Sequence, residues 1–148
     1  MTTLKQERYD RAYLRMTLEW AKLSHCKRKQ VGALIVKNRM IISDGYNGTP
    51  SGFENICELE NGDTKWYVLH AEANAILKCA KYGQSSAGSS LYLTLSPCKN
   101  CSKLIHQSGI KRVIYYNTYK DLSGIDFLKQ AGVEITHLQH LNENYEKK

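Results

Sequence analysis

The sequence predicts an α/β sandwich, a single domain over residues 1–148 whose sheet is mostly parallel after an initial hairpin. Three observations carry this prediction. Five short β-rich runs alternate with segments of helical periodicity. The first two runs are joined by residues 37–39 alone, which is typical of a hairpin. The later runs each follow a helical segment, and 148 residues suit one domain.

The first segment is predicted to be a helix with one apolar face. Its apolar residues recur at steps of four, three, four and three residues, as one helical face requires. They are Tyr9, Tyr13, Met16, Trp20 and Leu23. We expect this face to pack against the core of the domain.

The rest of the chain divides into strands, helices and one long loop. The hairpin strands are predicted at 31–36 and 40–45. The segment from Gly45 to Thr64 has little periodicity and is predicted to be a loop, and a loop of this length is usually functional or mobile. A proline opens one later helix and glycines end two of them. The later elements are a helix at 70–83, a strand at 91–94, a helix at 97–109, a strand at 112–116, a helix at 125–132 and a strand at 133–138.

Composition excludes several classes of protein. A hydrophobic content of 42% and a charged content of 24% exclude a disordered chain or a fibre. We find no apolar stretch of the ~20 residues that a membrane span needs, and no secretory signal, so we expect a cytoplasmic protein. The net charge of +7 suits an anionic partner such as a nucleotide, although solubility alone is an equal explanation. The spacings of common nucleic-acid-binding motifs are absent, so a nucleic-acid partner is not expected.

The chain has five cysteines, at positions 26, 57, 79, 98 and 101. An odd number in a chain without a secretory signal argues against a disulfide framework. The close pair, Cys98 and Cys101, favours metal binding or chemistry instead. Cys79 lies within a helical run and is most simply a small core residue.

Two short motifs occur in a fixed order. His70-Ala71-Glu72 is followed, after 24 residues, by Pro97-Cys98-Lys99-Asn100-Cys101, which matches the signature of zinc nucleobase deaminases. Cys98 and Cys101 are three residues apart at a predicted helix start, so both sulfurs can face one ion. Two thiolates and one imidazole suit tetrahedral Zn²⁺ and leave the fourth position for water. Glu72 is expected to lie beside the metal and to shuttle protons.

Beyond these motifs, the chain resembles the deoxycytidylate (dCMP) deaminases, in their bacterial and phage branch that includes ComE-type members. The resemblance spans about residues 24–138. It is carried by Val31-Gly32-Ala33, Gly45-Tyr46-Asn47-Gly48-Thr49-Pro50, His70 to Ile76, Leu93 to Cys98, Cys101 to Ile105, Ser108 to Lys111, and the Ser24 to Arg28 stretch.

This resemblance implies a fold and a set of site residues. The fold would be the three-layer α-β-α cytidine deaminase-like fold, a five-stranded mixed sheet with helices on both faces. His70, Cys98 and Cys101 would bind one zinc ion, and Glu72 would be the catalytic proton shuttle. The substrate would contact Asn47, the backbone of Ala71, the turn at Ser96-Pro97, and Tyr119. Arg28 would pair with the substrate phosphate, with Lys29 and Lys120 as further candidates, although each could be an ordinary surface charge.

The resemblance also implies an activity and an assembly. The reaction would be zinc-dependent hydrolysis of dCMP to dUMP and ammonia, as dUMP supply for dTMP synthesis. Family members are usually hexamers, and many are activated by dCTP and inhibited by dTTP, with Mg²⁺ on the effector. Some phage relatives bind a second zinc through cysteines that match Cys26 and Cys57. Here Val68 replaces an acid and no matching histidine is present, so a complete second site is not expected.

Several alternatives remain open from the sequence. A tRNA adenosine deaminase shares the zinc motif and could use the basic charge for RNA, but its turn differs from Gly45–Pro50. A free cytidine deaminase usually has glycine inside its Cys-x-x-Cys, where this chain has Lys99 and Asn100. Polynucleotide deaminases are longer. An inactive nucleotide-binding regulator would have no need to keep Glu72 and all three ligands.

Overall fold

The structure is a computed structural model that describes residues 3–142. Residues 1–2 and 143–148 of the predicted domain lie outside the described residues. The elements, in chain order, are α1 (Leu4–Ala21), β1 (Gly32–Lys37), β2 (Met40–Tyr46), α2 (Ala71–Lys81), β3 (Ser90–Leu95), α3 (Lys99–Gln107), β4 (Arg112–Asn117), α4 (Ser123–Gln130) and β5 (Glu134–His137). Every predicted helix and strand is present, with ends that differ by a few residues.

The five strands form one mixed sheet in the order β2-β1-β3-β4-β5. Strand β1 is antiparallel to both β2 and β3, whereas β3, β4 and β5 are parallel to one another. The hairpin turns at Asn38 and Arg39, which have φ values of 51° and 59°. Positive φ at both central residues matches the twist of the paired strands. The predicted five-stranded mixed sheet is therefore confirmed.

Helices cover both faces of the sheet, because successive strand residues point to opposite sides. On β1, Ala33 and Ile35 belong to the core cluster shared with α2, α3 and α4. Leu34 and Val36 belong to the second cluster, which packs against α1. The result is three layers, with α1 alone on one face and the other three helices on the opposite face.

The predicted buried face of α1 is wrong, apart from Tyr13. The other apolar residues of the predicted face are between 37% and 49% exposed; they are Tyr9, Met16, Trp20 and Leu23. The buried residues are instead Asp10, Tyr13, Leu14, Thr17 and Ala21. Gly32 explains why a different face of α1 is buried from the one predicted. A Cβ atom at Gly32 would lie 2.4 Å from the carbonyl oxygen of Thr17. The helix backbone approaches β1 most closely at Thr17 and Ala21, so these two small residues lie against Gly32.

A charged network is buried between α1 and the sheet. Asp10 has no exposed surface, and its carboxylate accepts hydrogen bonds from the Tyr92 hydroxyl at 2.6 Å and from Nη2 of Arg112 at 2.9 Å. The Arg112 side chain is itself only 13% exposed. This pair fixes the first helix against β3 and β4.

Arg112→Met is expected to lower the free energy of unfolding by about 3–5 kcal/mol, because it leaves the Asp10 carboxylate buried without its charged partner. Urea unfolding of both proteins measures the change. Lys22→Met, which removes the exposed ion pair with Glu19, is the matched control and should cost less than about 1 kcal/mol. An equal decrease in the free energy of unfolding in the two variants would contradict the stabilising role of the buried pair.

One edge of the sheet gathers the ends of several elements. The residues after β2 and β3 meet the N-termini of α2 and α3 at this edge, and the long loop over residues 47–70 lies beside them. Among residues 3–142, no helix is both long enough and apolar enough to span a membrane.

Candidate active site

Three potential metal ligands converge from the N-termini of two helices. His70 is the N-cap of α2, Cys98 is the N-cap of α3, and Cys101 lies in the first turn of α3. The His70 Nδ1 atom is 3.6 Å from the Cys98 Sγ and 3.3 Å from the Cys101 Sγ. The three donor atoms all lie within 4.8 Å of one another. The sequence prediction that two motifs meet at one point is therefore matched by the geometry.

These separations fit a tetrahedral zinc ion. Zinc binds sulfur at about 2.3 Å and imidazole nitrogen at about 2.0–2.1 Å, which places the two donors about 3.5 Å apart at the tetrahedral angle. The Sγ–Nδ1 distances of 3.3 and 3.6 Å match that value. Among the described residues, this donor set holds three protein groups. Such a set suits a zinc ion that keeps one position for water or substrate.

The two cysteines of the donor set differ in how readily they lose a proton. Hydrogen bonds from the Cys101 thiol and from His70 lower the pKa of Cys98 to about 3. The backbone N–H of Cys101 also points to the Cys98 sulfur, at 3.5 Å. The bond to Cys98 in turn raises the pKa of Cys101, which donates the shared proton. The lowered pKa favours the thiolate form of Cys98, in which cysteine binds metals. Cys101 must release its proton when it binds a metal ion.

Glu72 lies beside the three donors and is buried. It is 4% exposed, and its Oε1 atom is 4.0 Å from the Nδ1 atom of His70. Burial raises the pKa of the Glu72 carboxyl, because desolvation disfavours the charged form. A buried carboxyl group whose pKa is raised holds a proton more readily than an exposed one, which suits it to general acid–base chemistry.

A cavity of about 520 Å³ opens over Glu72 and His70. It brings together most of the residues predicted from the sequence, namely Arg28, Asn47, His70, Ala71, Glu72, Ser96, Cys98 and Tyr119. It is lined as well by residues that were not predicted, namely Cys26, Val31, Glu58, Thr64, Val68 and Leu95. Several of these belong to the long loop, where no periodicity indicates which side chains face inward.

Asn47 holds the wall of the cavity through its side chain. Its Oδ1 atom accepts a hydrogen bond from the backbone N–H of Val31 at 2.8 Å, and its Nδ2 atom donates to the carbonyl of Lys29 at 2.8 Å. The amide thus secures the segment that carries the cationic residues. The expected contact between Asn47 and the substrate stays a prediction.

Tyr119 is held at the cavity by two contacts. Its backbone N–H donates to the Oγ atom of Ser96 at 2.7 Å, and Lys29 Nζ lies 5.0 Å from the centroid of its ring. Pro97 differs from the prediction, because it is fully buried and does not line the cavity. Its carbonyl oxygen lies against Gly124 of α4 instead. Of the Ser96-Pro97 turn, only Ser96 therefore reaches the cavity wall.

The cavity wall is rich in cationic side chains. Arg28, Lys29 and Lys120 all line it, from the segment before β1 and the segment after β4. Two acidic side chains, Glu58 and Glu72, line it as well, and Glu58 accepts a hydrogen bond from the backbone N–H of Lys27. An anionic group would meet the three cations at the wall.

Comparison with known proteins decides the family. Residues 7–117 match the model of the cytidine and deoxycytidylate deaminase zinc-binding region. The chain belongs to this family. The match covers both the His-x-Glu and the Pro-Cys-x-x-Cys motifs. The predicted membership of the zinc-dependent deaminases is thereby confirmed.

Relatives of this deaminase extend over most of its length. The deoxycytidylate deaminase of Enterobacteria phage T4 is 37% identical, over 82% of this chain and 85% of the relative. The ComE operon protein 2 of Bacillus subtilis is 38% identical, over 78% of this chain and 64% of the relative. The dCMP deaminase from cyanophage S-TIM5, whose crystal structure is in complex with dCMP and dUMP, is 47% identical in sequence to this chain. The two structures superpose with a TM-score of 0.86, over 93% of this chain and 100% of the cyanophage chain.

The deaminase contains one disulfide that the sequence analysis did not expect. Cys26 and Cys57 are bonded, although 31 residues separate them, because the long loop folds back over the segment before β1. The argument from the odd number of cysteines is wrong for this pair. The Glu58 carboxylate lies within 4.8 Å of both sulfurs, but a disulfide sulfur is not a thiolate ligand.

Thiol counting tests this disulfide directly. The metal-free deaminase, denatured without a reductant, is expected to show three thiols, from Cys79, Cys98 and Cys101. Cys26→Ser should add one thiol, because it frees Cys57. Reduction should raise the wild-type number to the full five cysteines of the sequence. Five thiols before reduction would contradict the cross-link.

Proposed function

We propose that this chain is a dCMP deaminase that hydrolyses dCMP to dUMP and ammonia with one catalytic zinc ion. One observation carries the proposal: a buried carboxyl group, Glu72, adjoins a three-donor zinc set on a cavity whose wall bears three cations. The match to phage dCMP deaminases over 82% and 93% of this chain supports the choice of substrate.

The donor set His70, Cys98 and Cys101 would hold the zinc ion, and Glu72 would move the protons. When bound, zinc supplies a Lewis acid that lowers the pKa of water towards about 7. Glu72 takes a proton from the attacking water, whose oxygen adds to the amine-bearing carbon of the cytosine ring. Glu72 delivers that proton to the adjacent ring nitrogen. It then takes the remaining hydroxyl proton of the tetrahedral adduct and passes it to the amino group, so that the carbon–nitrogen bond breaks, the carbonyl forms and ammonia leaves. The raised pKa of Glu72 suits it to both accept and donate.

The cavity wall would position the nucleotide. Arg28, assisted by Lys29 and Lys120, would pair with the phosphate, since a charge-assisted bond to phosphate is strong and specific. Tyr119 would close over the base and sugar, and Asn47 would hydrogen-bond the nucleoside. The backbone of Ala71 and the side chain of Ser96 would contact the base.

A substrate panel tests the proposal. Turnover of dCMP is expected to exceed that of deoxycytidine by at least about 10- to 100-fold in kcat/KM, because a single charged contact to the phosphate contributes about 1.5–3 kcal/mol. Arg28→Ala should narrow this ratio by raising the KM for dCMP alone. A tRNA substrate serves as the comparison for the adenosine deaminase alternative. Equal turnover of dCMP and deoxycytidine would contradict the phosphate contacts, and turnover of tRNA alone would contradict the proposed substrate.

The family resemblance supports finer parts of the proposal. We expect a cytoplasmic hexamer that supplies dUMP for dTMP synthesis, activated by dCTP and inhibited by dTTP, with Mg²⁺ bound to the effector. Sedimentation of the purified chain tests the assembly. Turnover of dCMP with and without dCTP and Mg²⁺ tests the activation, and unchanged turnover would contradict it.

A further inference from the structure

Gly124, the second residue of α4, packs directly against residues 97–102. This segment, the ligand loop, leads into the first turn of α3 and carries two of the metal ligands. A Cβ atom at this position would lie 2.4 Å from the carbonyl oxygen of Pro97, 2.6 Å from the Oγ atom of Ser102 and 2.8 Å from the carbonyl carbon of Cys98. The φ angle of Gly124 is not in the left-handed region. The position therefore requires glycine for space alone.

The atoms that Gly124 contacts hold the ligand loop together. The Ser102 hydroxyl donates a hydrogen bond to the Cys98 carbonyl at 2.9 Å, and the Cys101 N–H points to the Cys98 sulfur at 3.5 Å. Pro97 and Cys98 form the peptide before the first thiolate, and Ser102 follows the second. A group inserted at Gly124 would press on both ends of this loop.

We propose that Gly124 is a positioning residue for the Cys98 and Cys101 ligands. Ordinary contact begins at 3.4 Å, so an added Cβ 2.4 Å from the Pro97 oxygen requires a displacement of about 1 Å. Metal–ligand distances tolerate only about ±0.2 Å. A displacement of that size in the loop moves at least one sulfur out of the range in which it binds zinc.

The helix itself has little freedom to move away instead. Ile125 and Leu128 of α4 are 3% and 0% exposed and belong to the core cluster shared with α2 and α3. Moving α4 away by about 1 Å would open a gap beneath the side chains of Ile125 and Leu128. Protein interiors are packed as densely as organic crystals, so such a gap is unfavourable. Pro97, Cys101 and Ser102 are buried as well, whereas Cys98 is partly exposed, so we expect the displacement to be taken up at Cys98.

Zinc affinity of Gly124→Ala, measured by competition with a chelator, tests the proposal. We expect affinity to fall at least tenfold, the loss typical of residues that support metal ligands. The visible absorption of the Co²⁺-substituted protein should also change, since it reports the geometry around the ion. Gly32→Ala is the matched control, because its Cβ would meet the Thr17 oxygen at the same 2.4 Å but on the opposite face of the sheet. It should lose stability and keep the zinc affinity and the cobalt spectrum.

Where Gly124→Ala folds, an unchanged zinc affinity, or an equal loss of affinity in Gly32→Ala, would overturn the proposal. If Gly124→Ala does not fold, the double variant Gly124→Ala/Ser102→Ala takes its place, because Ser102→Ala removes the Oγ atom that the added Cβ would meet at 2.6 Å. The zinc affinity of the double variant is compared with that of Ser102→Ala alone: a further loss supports the proposal, and equal affinities overturn it. The inference rests on the proposed function only in requiring zinc at this site, and absence of zinc from the wild-type protein would refute that function instead.

Discussion

Glu72→Gln is expected to lower the turnover of dCMP by about 10²–10⁴-fold while zinc binding is retained. The amide has nearly the same shape as the carboxyl group, so it fits a position that is 4% exposed. It cannot accept a proton from water and return it to the ring nitrogen. Turnover of dCMP and zinc content of the purified variant measure the two effects separately.

The control for this variant is Glu60→Gln, which removes one carboxylate from an exposed position of the long loop. It should leave both turnover and zinc content unchanged. Retained turnover in Glu72→Gln would refute the proton-transfer role. Loss of zinc from Glu72→Gln would mean that the carboxyl group supports the metal rather than the proton transfer.

Cys98→Ala and Cys101→Ala are expected to lose zinc and, with it, all measurable deamination. Each removes one of three donors, and the remaining His70 and single thiolate hold the ion far more weakly than the full set. The zinc content after dialysis and the turnover of dCMP should fall together.

Cys79→Ala is the matched control, because Cys79 is a buried free thiol of α2 outside the donor set. Its zinc content and turnover should match those of the wild type, apart from a small loss of stability. Full zinc content in either Cys98→Ala or Cys101→Ala would show that the ion is held elsewhere.

The features that the sequence predicts well are those determined by local spacing. Alternation of strands and helices predicts the sheet, and the three-residue step from Cys98 to Cys101 places both sulfurs on one side of a helix start. His70 and Glu72 likewise both lie at the start of α2, because they are only two positions apart in the sequence. No contact across the fold is needed to anticipate these features.

The features that the sequence does not predict depend on contacts between distant segments. The buried face of α1 follows from its close approach to Gly32 rather than from the size of its side chains. Glu58, Thr64 and Val68 reach the cavity because the long loop folds back, which no periodicity indicates. The same folding brings Cys57 to Cys26.

X-ray absorption at the zinc edge of the purified wild-type protein measures the proposed ligand set itself. We expect two sulfur neighbours at about 2.3 Å and two light neighbours at about 2.0–2.1 Å, one of them the imidazole of His70. The second light neighbour should change when dCMP is added, because it occupies the position where the chemistry takes place. Three or four sulfur neighbours, or a set of neighbours that the nucleotide leaves unchanged, would contradict the account.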